Sequence, residues 1–185
     1  MALTKTPVCD FGKKAEDFKL KSIENKVISL NDVKGEKATL IMFICNHCPY
    51  VKAIIRDLAK DCNELKKDGI NTVAIMSNDT KNYPEDSFDN MIKFAKTNNF
   101  GEINYLIDET QEIARKYGAV CTPDFFGYNK ELKLQYRGRF RDLKDLKPVS
   151  GGDSDLKIAM KMISETQAGP KEQIPSMGCN IKWFN

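Results

Sequence analysis

The stretch Phe43 to Tyr50, "FICNHCPY", holds two cysteines, the chain's only histidine and a proline. Four chemistries use such a grouping: a metal clip, a haem attachment, a permanent disulfide and a reversible dithiol. A structural zinc site takes four Cys or His ligands, commonly as two close pairs. Cys9, Cys62, Cys121 and Cys179 are each isolated and there is no second histidine, so no metal is assigned. A c-type haem needs histidine directly after the second cysteine, where this chain has Pro49. A Cys-His hydrolase needs its histidine on a separate segment facing the thiol, and His47 is fixed inside the motif.

A redox dithiol uses every residue of the stretch. An apolar strand ends, Cys45 emerges in a loop, and Cys48-Pro49 opens a helix whose free N–H groups and positive end face the Cys45 sulfur, favouring thiolate. Pro49 suits the first helical turn, where its missing N–H is not needed. Two intervening residues let the Cys45 and Cys48 sulfurs reach disulfide distance across one turn. Protonated His47 is a further positive partner, and a lowered thiol pKa stabilises the dithiol and makes the disulfide more oxidising.

The elements that position this motif are legible from periodicity. The run "ATLIMFI", Ala38 to Ile44, reads as a buried strand. After it, Val51, Ile54, Ile55, Leu58, Cys62 and Leu65 recur at helical spacing, with Gly69 beyond the end. "NTVAIMS", Asn71 to Ser77, is a second strand, so strand, helix and strand form a parallel crossover with the motif at the C-terminal edge. Phe18 to Leu20 and Val27 to Leu30 predict an early hairpin. Phe88, Met91, Ile92 and Ala95 predict a helix, and Tyr105 to Ile107 a short strand. Asp108 is the expected cap of a helix that stops at Gly118. Asp124 to Tyr128 and Leu132 to Gly138 predict an antiparallel hairpin, and Leu156, Ala159, Met160 and Ile163 share a face of the last helix. The alternation predicts an α/β layer fold, a central mixed sheet flanked by helices. Residues 1–10 form an N-terminal arm, and the Pro- and Gly-punctuated tail, 166–185, is expected to lie over the surface.

With 185 residues, 41% hydrophobic and 30% charged, the chain can bury one core, and a single domain spanning residues 1–185 is expected. The longest apolar run is far short of the ~20 residues that cross a bilayer, so no membrane partner is expected. A net charge of +3, spread along the chain, gives no case for nucleic acid. The N-terminus carries Lys5, Pro7 and Asp10 where a secretory signal needs an apolar stretch, so a cytoplasmic location is expected, and there a close Cys pair is catalytic or metal-binding rather than a staple.

A second segment, "AVCTPDFF", places Pro123 at the start of a predicted strand, where a Thr122-Pro123 cis or trans bond is open from the residues alone. Its backbone can pair with a partner's extended chain. "FICNHCPYVKA", "AVCTPDFFGYNKELKLQYRGRF" and "PSMGCNIKW", following "AEDFKLKSIENKVISLNDVKG", resemble the redoxin branch of the thioredoxin superfamily, the AhpC/TSA-like thioredoxin-fold proteins, from about Phe11 to Trp183. That resemblance implies a thioredoxin-like fold and a cofactor-free thiol-disulfide oxidoreductase. Carried over by position, it implies Cys45 as nucleophile, Cys48 as resolving thiol, and Pro123 as a cis-proline facing them, with Asn46, Pro49 and Thr122 also at the substrate. Implied partners are protein or small-molecule disulfides and dithiols and a recycling thiol or oxidant. No oligomeric state is assigned.

The chain departs from the family in ways that matter. Ile44 stands where thioredoxin has Trp, and "ATLIMFI" lacks the buried acid that helps deprotonate the second thiol, leaving the proton acceptor of Cys48 open. Aligned on Cys48, the peroxiredoxin Pro-x-x-x-Thr-x-x-Cys pattern meets Ile41 and Cys45, which favours dithiol exchange over the alternative of a peroxide reductase. A metal-handling thioredoxin-fold module is the non-enzymatic alternative. Cys121 and Cys179 are candidate auxiliary thiols, the first equally readable as a small buried residue and the second as part of a tail anchored by Ile181, Trp183 and Phe184. Cys62 is assigned to the core and Cys9 to an exposed arm. Around "RGRFRDLKDLK", from Arg137, a solvated hairpin end is expected in preference to an anion site.

Overall fold

The computed structural model of the chain describes residues 2–149 and 151–184. Its strands are β1 (Leu3–Lys5), β2 (Lys19–Ser22), β3 (Val27–Ser29), β4 (Ala38–Phe43), β5 (Ile70–Met76), β6 (Asn104–Ile107), β7 (Cys121–Thr122), β8 (Asp124–Asn129), β9 (Leu134–Tyr136), β10 (Leu143–Lys144), β11 (Lys147–Pro148) and β12 (Met177–Asn180). The helices are α1 (Leu30–Val33), α2 (Pro49–Lys67), α3 (Phe88–Thr97), α4 (Glu112–Tyr117) and α5 (Asp155–Thr166).

β4 is buried at all six positions, which explains its unbroken apolar run: both faces of the strand are covered. Leu40 and Met42 enter one core cluster, with Val51, Ile54, Leu58 and Leu65 of α2, Met91 of α3 and Met160 of α5. Ile41 and Phe43, pointing the other way, join Leu30 of α1 and Ile113 and Tyr117 of α4 in a second cluster. The main sheet runs β3-β2-β6-β5-β4-β8-β9, with β4, β5 and β6 parallel and the flanking pairs antiparallel. It is a thioredoxin-like mixed sheet flanked by helices. In that order the C-terminal ends of the parallel strands share one edge, and the loops from β4 and β5 meet there.

Four expectations are corrected. α4 begins at Glu112 with Gln111, at φ +62°, as its N-cap; Asp108 instead reaches in from four residues earlier, Oδ2 accepting from Ala114 N–H at 2.9 Å. Cys9 is half-buried against the second core cluster rather than free in an arm, because β1 ties residues 3–5 into a sheet. Arg137 is buried in an ion pair with Asp124; only the small β10–β11 ribbon beyond it is solvated. The tail is an integral layer: β12 pairs with β1 and with β7 in a second, three-stranded sheet. Gly169 approaches β9 so closely that a Cβ would stand 2.0 Å from Gln135 O, and Ser176 Oγ donates to Pro123 O at 2.8 Å. Among the described residues no helix is long and apolar enough to cross a membrane.

Candidate active site

The β4 ladder continues one step past the strand, Ile44 N–H donating to Ile75 O at 3.1 Å, so Cys45 is the first residue released from the sheet. Cys48 is the N-cap of α2 and Pro49 fills the first helical position. Both thiols are buried, Cys45 1% and Cys48 0% exposed. Thr122 gathers them: its hydroxyl lies 3.3 Å from Cys45 Sγ and its carbonyl oxygen 3.1 Å from Cys48 Sγ. The following Thr122-Pro123 peptide is cis.

A third sulfur completes the cluster. Cys179 Sγ, delivered by β12, lies 3.1 Å from Cys48 Sγ. Cys48 is the thiol held well below the usual range, because hydrogen bonds from the Cys45 thiol, then from the Cys179 side chain and backbone and from the Val51 backbone N–H, stabilise its anion. The Thr122 carbonyl oxygen, which favours a protonated thiol, opposes them. Cys45 is pushed up by the same shared hydrogen bond, by burial and by the Asp86 charge. The hydrogen bonds at the helix N-terminus thus favour the anion of Cys48 over that of Cys45. Cys179 is pushed up to about 12, first by burial and then by Cys48. Cys121 is also raised by burial, its Sγ lying 3.6 Å from Pro123 O, and Cys62 is fully buried and pushed up to about 12.

Asp86 is the residue that sequence reasoning missed. It is fully buried at the end of a 3-10 turn, Pro84–Asp86, and its carboxylate is the hub of the loop. Oδ1 accepts from Asn46 N–H at 2.7 Å and Oδ2 from the Asn78 amide at 2.9 Å. Oδ2 also meets His47 Nδ1 at 2.7 Å, and that bond is the main reason the imidazole pKa is raised above 6.5. The ring stacks on Tyr83 at 5.5 Å. The only signal in sequence was "YPEDS", a helix-start pattern with no spacing to tie it to the cysteines. Asn46, expected at the substrate, turns inward: its amide donates to Glu85 O at 3.1 Å and accepts from Tyr105 OH at 2.9 Å, as a buried amide must find partners.

The Pro123 side of the site is braced by charge. Arg137 Nε and NH2 meet the two Asp124 oxygens at 3.3 and 3.0 Å, NH2 also donates to Gly118 O at 2.7 Å, and the guanidinium covers the Phe126 ring. Beside Pro123 opens a cleft of about 430 Å³ whose walls include Tyr50, Ile54, Phe140, Leu143 and Met177. Among the described residues one trio has metal-ligand chemistry: ligand atoms of Cys45, His47 and Asp86 lie within 4.8 Å of one another. An ion there would compete with three hydrogen-bond donors already on the Asp86 carboxylate.

A comparison with curated proteins finds no match. Solved structures do match. An uncharacterized conserved protein from Geobacillus kaustophilus is 40% identical over 100% of this chain and 97% of its own, with a TM-score of 0.94. A hypothetical protein from Sinorhizobium meliloti is 36% identical, covering 98% of each chain, with a TM-score of 0.89. The thioredoxin domain of a thiol-disulfide oxidoreductase from Bacteroides vulgatus is 19% identical over 69% of this chain and 86% of its own, with a TM-score of 0.58, a likeness of fold. The AhpC/TSA family pattern matches residues 11–138, spanning the motif, the Pro123 loop and the β8–β9 hairpin, and the chain belongs to the AhpC/TSA family.

Proposed function

We propose that the protein is a thiol-disulfide oxidoreductase that cycles Cys45 and Cys48 between dithiol and disulfide. The observation that carries this reading is the convergence of both thiols on Thr122, next to the cis peptide to Pro123, and the lowered Cys48 pKa agrees with it. As Cys45 Sγ attacks one sulfur of a substrate disulfide, its proton passes to the Cys48 thiolate. The other substrate sulfur leaves as thiolate and a mixed disulfide remains on Cys45. Cys48 then returns its proton to the departed thiolate and attacks Cys45 Sγ, closing the Cys45–Cys48 disulfide and releasing the second substrate thiolate. On this scheme no separate buried acid is needed to deprotonate Cys48, which addresses the gap left by the missing acid in β4. The reverse sequence oxidises a dithiol. The cleft beside Pro123, lined by apolar Tyr50, Ile54 and Phe140 together with charged Lys5, Arg139 and Asp142, suits the segment flanking a protein cysteine, and a recycling thiol returns the disulfide to the dithiol.

Turnover of a disulfide-bonded protein by a thiol reductant tests the reading. Cys45→Ser and Cys48→Ser should each fall to the uncatalysed rate. If both variants retain exchange but lose consumption of hydrogen peroxide, the protein is instead a peroxide reductase working through a sulfenic acid.

A further inference from the structure

Cys179 is the thiol of the cluster that this cycle does not use, and three observations set it apart from an ordinary buried cysteine. Its sulfur is 3.1 Å from Cys48 Sγ, so closure to a disulfide of about 2.05 Å requires ~1 Å of movement. Its strand is fixed in register, Cys179 opposite Thr122 and Asn180 opposite Cys121, and Thr122 is the residue that touches both other thiols. The position before it admits no side chain: a Cβ on Gly178 would stand 2.0 Å from Thr122 O and 3.1 Å from Pro123 Cδ. The backbone edge of β7, which was expected to receive a partner's extended chain, is therefore filled by the protein's own tail, and that tail presents a thiol to Cys48.

We propose that Cys179 is a third redox thiol, and that the oxidised protein transfers its disulfide from Cys45–Cys48 to Cys48–Cys179. This inference rests on the dithiol reading above. In the step, Cys179 Sγ attacks Cys48 Sγ. The Cys48–Cys179 bond forms as the Cys45–Cys48 bond breaks, and Cys45 leaves as thiolate and takes up the proton that Cys179 lost. The exchange is redox-neutral and calls for no outside oxidant. The raised pKa of Cys45 suits it to end the step protonated. Cys45 is then free while the oxidising equivalent is held by the tail strand, where a small thiol reductant must collect it.

Trypsin separates the two disulfides. Cys45 and Cys48 fall on one peptide, Ala38–Lys52, and Cys179 on another, Glu172–Lys182. The reduced full-length protein is oxidised with oxidised glutathione, quenched in acid, alkylated and digested without reduction. The wild type and Cys45→Ser should both give the 38–52/172–182 crosslink, Cys48→Ser and Cys179→Ser should not, and Cys179→Ser should keep the loop internal to 38–52. Loss of that internal loop in Cys179→Ser would overturn the dithiol reading itself. An oxidised wild type holding only the internal loop, with Cys179 alkylated, would overturn the third-thiol assignment alone. Gly178→Ala, which forces β12 off Thr122, should reduce the crosslink to background and leave the internal loop; an undiminished crosslink would equally overturn the assignment.

Discussion

His47 and Asp86 set the electrostatics of the motif at the level of single residues. Asp86 raises the imidazole pKa, and an imidazolium near Cys48 stabilises the thiolate in return, since the coupling is reciprocal. Because the folded value is raised, the stabilisation from this pair is complete below the ordinary imidazole pKa and is lost as pH rises through the folded value. The single histidine of the chain gives one titrating imidazole by NMR. Its midpoint is expected above the ordinary value in the wild type and to move down in Asp86→Asn; an unchanged midpoint would contradict the pairing. In His47→Ala the dithiol loses a stabilising charge, so the reduction potential should shift negative, by about 30 mV for each unit that the thiol pKa rises. A glutathione redox titration of the variant against wild type measures that shift. His47 was identifiable as a tuner from its place in "CNHC", but its partner was not: Asp86 lies 39 positions away from it along the chain and reaches it only because the loops of parallel β4 and β5 end at one edge.

At the scale of elements, α2 and the β7–β8 segment hold the two halves of the site. Leu58 is fully buried on α2 between the sheet and α5, and Leu58→Ala is expected to cost about 2–5 kcal/mol, read as a lower denaturation midpoint with the motif chemistry intact. Arg137→Ala leaves the Asp124 carboxyl buried without its partner. That should cost about 3–5 kcal/mol and, unlike Leu58→Ala, should also slow exchange at Cys45, because Asp124 directly follows Pro123. Equal residual activity in the two variants at matched stability would contradict a positioning role for Arg137. Both α2 and the parallel pair were legible from the sequence, since apolar periodicity over 19 residues and over a strand buried on both faces is strong. The start of α4 was not. Gln111 takes the cap in a left-handed conformation to bind Ser77 O and Lys182 O, contacts that no local pattern encodes.

The tail is what distinguishes the whole molecule from the expectation of a sheet with a loose extension. From Gly169 to Phe184 it follows β9, the Pro123 loop and the ends of β5 and α4, with Arg139 N–H donating to Ile174 O, Lys182 N–H to Asn78 Oδ1 and Phe184 N–H to Gln111 Oε1. Its Pro and Gly content read as a surface strap because its partners are backbone groups distant in sequence, which leave no periodicity. Gln111→Ala removes three side-chain bonds at a buried position, two of them to the tail at Lys182 O and Phe184 N–H and one to Ser77 O, and each buried group left without a partner costs about 1–3 kcal/mol. Hydrogen exchange should then accelerate at Ile181, Lys182 and Phe184 ahead of β4; uniform acceleration would instead show that the tail unfolds only with the sheet. The Cys-x-x-Cys spacing by itself brings Cys45 and Cys48 together, whereas Cys179, readable in sequence only as a candidate auxiliary thiol, joins them through the β12–β7 pairing.

Trapping of mixed disulfides with a disulfide-bonded substrate in Cys48→Ser and in Cys45→Ser distinguishes the attacking thiol, Cys45, from the resolving thiol, Cys48. A covalent adduct through Cys45 should accumulate in Cys48→Ser and be missing from Cys45→Ser. Equal trapping by the two variants, or trapping by Cys45→Ser alone, would contradict that assignment.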